Sequence, residues 1–186
     1  MEIKMKNIFI GGVARSWKGT LASLIKQNVP QYNHISLDYF TSALKEIFPE
    51  TGIKTDVIMG ETSPKLARLL SKVMDIINTK EEKYIIDSAH ILPYDILKYI
   101  DAKKWDVYFL GYPNTTVEEK TKVILEKDDK NDWTKKKTFD ELCFKIKNLI
   151  EISKTIEAEC KKNNIRFVNT SINFDKQLRA ISDLYK

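Results

Sequence analysis

Residues 7–20 read NIFIGGVARSWKGT: an apolar run, two glycines, and a turn that ends in Lys18, Gly19 and Thr20 before leucines recur at helical spacing. A strand that passes through a glycine turn into a helix suits the gripping of a phosphate. The loop N–H groups converge on the oxyanion, the helix N-terminus adds positive potential, and a lysine six residues beyond Gly12 reaches the β- and γ-phosphates. The candidate nucleotide-binding residues are therefore Gly11, Gly12, Val13, Ala14, Arg15, Ser16, Trp17, Lys18, Gly19 and Thr20, with Lys18 also a catalytic candidate. Two positions depart from the usual pattern. Trp17 stands at the second glycine, and Gly19 at the Ser/Thr that normally helps hold magnesium. An indole at position 17 either points out of the phosphate nest or folds back into the space of the phosphates.

Two carboxylates stand at the ends of other apolar runs. In KYIIDS, Asp87 closes a strand-like segment, where it can hold Mg²⁺ against phosphates gripped by the loop, with Thr20 as the hydroxyl partner. In HISLDYF, Asp38 occupies a similar place, where the residue taken alone reads first as a cap for the helix that follows, a role compatible with accepting the proton of an attacking hydroxyl. Lys18, Asp38 and Asp87 are the catalytic candidates, and Thr20 and Asp87 the metal candidates. His90 has no His or Cys at metal spacing, which argues against zinc.

Short apolar runs at Asn7–Ile10, His34–Leu37, Tyr84–Ile86, Asp106–Leu110 and Arg166–Val168 have the length of buried strands. Helical patterns separate them. One runs from Lys18 to Gln27, and another follows Ser63-Pro64, a serine cap with proline at the first helical position. Two more open at the capping boxes Thr116…Glu119 and Thr138…Glu141, the last continuing in a long apolar stripe to Cys160. Five strands alternating with helices predict parallel pairing, right-handed crossovers and a three-layer α/β/α sandwich, in which ligands bind beyond the carboxyl ends of the strands. The run EKDDKNDWTKKK interrupts the pattern and reads either as a solvated charged loop or as a lid whose lysines serve the site. The chain is expected to be a single domain over 1–186, with a lid-like region at about 112–137.

The 186 residues are 42% hydrophobic and 31% charged, with 6 Gly and 5 Pro, which excludes disordered, collagen-like and disulfide-scaffold classes. A net charge of +5 from 31 basic and 26 acidic residues is too mild to argue for nucleic acid, and suits a small anionic ligand. The first apolar stretch is too short for a signal core or a membrane span, so a cytoplasmic protein without membrane partners is expected. Cys143 and Cys160 fall on one helix, roughly 25 Å apart, beyond disulfide reach.

Taken together, GGVARSWKGTLA, SLDYF, YIIDSAHILP and NIRFVNTSINFDKQL resemble the small-molecule kinases of the P-loop class, the nucleoside and nucleotide kinase-like group with an adenylate kinase-like fold. Lys18-Gly19-Thr20 is similar to the loop of adenylate kinases. Asp38-Tyr39-Phe40 resembles the acidic motif of uridine kinase-like and nicotinamide riboside kinase-like enzymes, where the carboxylate acts as base or acceptor ligand. The run from Asp87 to Pro93 resembles that of sugar-acid kinases, and Phe167–Ser171 resembles the segment that packs on adenine. The resemblance implies ATP and Mg²⁺ as cofactors, γ-phosphoryl transfer to a hydroxyl or phosphate of a small metabolite, and acceptor contacts from Asp38, Phe40, Arg68 and His90. Acceptor preference would lie in the segment 41–61. Arginines expected of the lid are missing between Lys120 and Lys137, so the alternative is a nucleotide-binding protein of the same fold without turnover.

Overall fold

The five apolar runs form five strands, and the central three are near-continuous rather than alternating because both faces of the sheet are covered there. The computed structural model describes residues 5–55, 60–130 and 132–186. Within the segment expected to carry acceptor preference, residues 56–59 lie outside that range, as does Asn131 of the charged run. The strands are β1 (Asn7–Gly12), β2 (Tyr32–Ser36), β3 (Lys83–Ser88), β4 (Trp105–Gly111) and β5 (Arg166–Asn169). All pairs are parallel, in the order β2-β3-β1-β4-β5. Along β1 the side chains alternate: Ile8 and Ile10 pack with Leu21, Ile25 and Leu178 on one face, and Phe9 with Leu70, Ile146 and Ile150 on the other. Helices α1 (Lys18–Asn28) and α7 (Phe174–Ser182) cover the first face, while α3 (Thr62–Ile77), α4 (Pro93–Ile96) and α6 (Phe139–Lys162) contribute to the second. The expected three-layer α/β/α sandwich is what the chain forms.

Helices α2 (Leu37–Ile47) and α5 (Val117–Lys127) complete the set, each following a strand end. Both expected capping boxes are present: the Thr116 and Thr138 hydroxyls accept from the Glu119 and Glu141 amides, and each glutamate reaches back to the threonine N–H. The start of α3 differs from expectation. The helix begins at Thr62, and Ser63 is buried in its first turn, where Oγ donates to Asp95 Oδ2 at 2.7 Å and accepts from the Leu92 N–H at 2.8 Å. A hydroxyl bonded twice across the core to α4 outweighs a solvent-facing cap. Cys143 and Cys160 are both free thiols.

Because β1 is central, the chain leaves it toward β2 on one side and later adds β4 and β5 on the other. This reversal of strand order opens a crevice at the carboxyl ends, the usual ligand position in such sheets. The loop expected to grip phosphate follows β1 there.

Candidate active site

Gly11 and Gly12 bring β1 close enough to β4 to start the loop. A side chain at Gly11 would meet the Phe109 ring at 2.2 Å, and one at Gly12, where φ is +132°, would meet the Leu110 carbonyl at 2.0 Å. Beyond them the loop is tied down. The Tyr112 hydroxyl donates to Ala14 O at 2.9 Å, Ser16 Oγ donates to Val13 O at 2.8 Å, and the Val13 N–H donates back to Leu110 O. Arg15 and Trp17 have φ of 59° and 70°, the left-handed region that glycine enters at least cost. Trp17 precedes the first turn of α1, and its indole stacks on Phe174 at 4.5 Å between centroids. The side chain therefore leaves the nest toward the start of α7.

Lys18 is buried, and its Nζ donates to the carbonyls of Gly12 and Val13 at 3.1 and 2.9 Å. Burial holds this amine below its ordinary pKa, while the charges of Asp38 and Asp87 pull the other way. Asp87, also buried, lies in register between Ile10 of β1 and Ser36 of β2. Its Oδ2 meets His34 Nε2 at 2.6 Å and its Oδ1 accepts from Ser36 Oγ at 3.1 Å. Asp38 does not cap its helix. Instead Oδ1 accepts the Ala89 N–H at 2.9 Å, just past the end of β3, with His90 Nε2 4.0 Å away. Burial lowers the His90 pKa, against the pull of Asp38. Adjacent strand ends thus hold both carboxylates, and their charges act on one lysine.

On the other side of the loop, Arg15 faces the charged run. Its guanidinium pairs with Asp132 at 2.8 Å and Asp128 at 3.3 Å and lies 5.6 Å above the Trp133 ring, while Asp128 is held by Thr134 Oγ1 at 2.6 Å. Lys120 of α5 is buried with its Nζ over the rings of Tyr112, at 4.0 Å, and Trp17, at 5.1 Å. Burial pushes this amine down to about 7, opposed by Asp128. A cavity of ≈ 750 Å³ opens here between Trp17, Lys120, Asn114, Ser171 and Phe174. Among the described residues four buried side-chain polar atoms lack a hydrogen-bond partner, Arg15 Nε, Trp17 Nε1, His90 Nδ1 and Lys120 Nζ. Leaving a buried polar atom unsatisfied is costly. All four belong to the loop, to the residue beside Asp38, or to the helix against Trp17.

Thr20 and Gly19 are exposed in the first turn of α1, and a side chain at Gly19 would meet nothing within 4 Å. Arg68 is exposed on α3 and its side chain makes no polar contact to this cluster; Phe40 is half exposed beside Asp38. His34, Tyr112, Lys120, Asp128 and Phe174 enter the site without a sequence motif to announce them. One signal exists for Lys120, a lysine in the stripe Val117, Lys120, Thr121, Ile124, where helical spacing calls for an apolar residue.

Among the described residues no group of three or more His, Cys, Asp or Glu could hold a metal alone. That is compatible with Mg²⁺, which takes one or two carboxylates and completes its shell with water and substrate phosphates. Asp87, a hard oxygen donor beside the loop, fits such a role.

No protein-family model matches the chain, and no curated protein does either. Solved structures do. A shikimate kinase from Bacteroides thetaiotaomicron is 16% identical with a TM-score of 0.59, covering 96% of this chain and 97% of its own. A gluconokinase from Sinorhizobium meliloti 1021 is 11% identical with a TM-score of 0.59, covering 96% and 94%. A shikimate kinase from Acinetobacter baumannii, in complex with shikimate, is 12% identical with a TM-score of 0.51, covering 97% and 90%. These likenesses span nearly whole chains at both ends of the comparison, and they show that this chain has the fold of the P-loop small-molecule kinases.

Proposed function

We propose that the chain is an ATP-dependent phosphotransferase that moves the γ-phosphoryl group to a hydroxyl or phosphate of a small metabolite. The observation that carries this reading is that two buried donors without hydrogen-bond partners, Trp17 Nε1 and Lys120 Nζ, border the cavity beside a loop in which Arg15 and Trp17 take left-handed backbone conformations. Donors without acceptors call for an anion. The Gly12–Lys18 amides and Lys18 Nζ would hold the β-phosphate, Lys18 exchanging its two loop carbonyls for phosphate oxygens. The nucleoside would extend into the cavity beside Phe174. Asp38, oriented by the Ala89 N–H, would accept the proton of the acceptor hydroxyl, with His90 as an acceptor contact. Magnesium, when bound, supplies charge neutralisation on the phosphates, and Asp87 with Thr20 would hold it. Such a reaction needs positioning and charge stabilisation more than covalent chemistry.

One contact favours a second reading, a nucleotide-binding protein without turnover: His34 already occupies the Asp87 carboxylate at 2.6 Å. Thermal unfolding with ATP or ADP, with and without Mg²⁺, tests the common part. Nucleotide at millimolar concentration should raise the melting temperature by mass action, and Lys18→Ala should remove most of the shift. No shift in the unmodified protein would end the nucleotide reading. Turnover against a panel of nucleosides, nucleotides and sugar acids then separates the two. In an active enzyme Asp38→Asn lowers kcat with nucleotide affinity nearly intact, whereas Asp87→Asn weakens the Mg²⁺ dependence.

A further inference from the structure

At the opposite end of the sheet, where β1, β3 and β4 begin, lies a second cavity of ≈ 590 Å³. Lys6, Lys80, Lys83, Lys103 and Lys104 line it, against one carboxylate, Glu81. Over the whole chain basic residues exceed acidic ones by only 31 to 26, so five to one is a local concentration. Lys6 is committed, donating to Ala102 O at 2.9 Å and pairing with Asp106 at 3.4 Å. Among the described residues the ammonium groups of Lys80, Lys83, Lys103 and Lys104 enter no ion pair or side-chain hydrogen bond.

Two carboxamides complete the lining. Asn7 Oδ1 accepts the Tyr84 N–H at 2.9 Å, and Asn78 Oδ1 accepts the Trp105 Nε1–H at 3.0 Å. Both partners can only donate, so the amide oxygens are committed and the NH₂ groups remain. Apart from Glu81, the side-chain polar groups this cavity has to offer are donors, and most carry positive charge. Its volume lies within the range of small-molecule sites.

We propose that this cavity is a second anion site, distinct from the phosphate loop, for a small soluble compound carrying two or more phosphate groups. The inference goes beyond the kinase reading and does not rest on it. The cations surround one concavity. A nucleic acid would instead be met by a stripe that follows successive phosphates. Asn7 and Gly12 bound β1, so about 17 Å of strand separates the two sites.

Calorimetric titration with inorganic tripolyphosphate tests the site in four proteins: the unmodified chain, Lys18→Ala, the triple variant Lys80→Gln/Lys103→Gln/Lys104→Gln, and Glu81→Gln. Lys18→Ala should retain one binding event that weakens steeply between about 50 and about 200 mM salt. The triple variant, altered only at exposed positions, should lose that event by at least tenfold while keeping its melting temperature and the Lys18-dependent part of its response to ATP. Glu81→Gln leaves every lysine in place and should tighten it. The proposal is overturned by unchanged affinity in the triple variant, by loss of all binding in Lys18→Ala, or by an unmoved Glu81→Gln. It is also overturned if a short RNA duplex binds through the same three lysines more tightly than tripolyphosphate, since the face would then be a nucleic-acid surface. Failure of the nucleotide reading shows elsewhere, as a response to ATP that Lys18→Ala leaves unchanged.

Discussion

Trp17 holds a left-handed backbone conformation that costs a side chain about 1–2 kcal/mol, and its indole recovers part of this by stacking on Phe174. These terms are of similar size and opposite sign. Trp17→Gly should therefore leave stability within about 1 kcal/mol of the parent, because relief of the backbone offsets loss of the stack. Since the indole points away from the nest, ATP affinity should change less than tenfold, measured by titration calorimetry with Mg²⁺. A gain above tenfold, about 1.4 kcal/mol, would mean that the side chain obstructs the phosphates after all. That position 17 is unusual was plain from the loop pattern. Which way the ring turns was not, because Phe174 comes from the far end of the chain and only the packing of α1 against α7 brings the two together. Asp38 illustrates the same limit: HISLDYF allows it to cap the helix that follows, and only the Ala89 amide beyond a neighbouring strand end shows that its carboxylate is engaged elsewhere.

Elements were legible where a local rule decides them. Buried strands are short apolar runs, and the capping boxes of α5 and α6 satisfy their own N–H groups within four residues, so no tertiary partner is needed to read them. The charged run after α5 lacked such a rule. It forms a 3₁₀ turn over Trp133–Lys136 and is tied to the phosphate loop by Arg15, through Asp128, Asp132 and Trp133. Ion pairs between segments so far apart in sequence leave no trace in either one. Arg15→Ala removes both pairs and the ring contact and leaves the Asp128 side chain, only 2% exposed, without its cation, at a cost of about 3 kcal/mol that local opening of the segment relieves. The expected result is several-fold faster tryptic cleavage among Lys127–Lys137, with the global unfolding midpoint little changed. An unaltered cleavage rate would show that the contact does not hold the segment.

At the scale of the molecule, strand and helix alternation was enough to anticipate the architecture, since parallel pairing with right-handed crossovers leaves few ways to cover both sheet faces. Its response to pH was not readable, because it depends on which amines end up inside. Lys120 is depressed from 10.5 to about 7 by burial. Between those values the unfolded chain binds a proton that the folded chain does not. Stability from this group therefore rises with pH from about 7 toward 10.5, and the penalty is complete below about 7. Urea unfolding at about pH 7 and about pH 9 should show the parent gaining on the order of 2 kcal/mol relative to Lys120→Met, which lacks the titrating amine. Parallel profiles for the two proteins would show that burying this amine carries no protonation cost. The placement of the tryptophans has a different kind of consequence. Trp17 and Trp133 flank the phosphate loop, whereas Trp105 is anchored to Asn78 beside the lysine-lined cavity at the other end of the sheet. The chain has no fourth tryptophan. Intrinsic emission thus comes from two places in the fold, one pair beside the loop and one fluorophore next to the basic cavity. Single-tryptophan replacements would make the protein its own label-free reporter of a ligand at either end, and of the order in which two ligands bind.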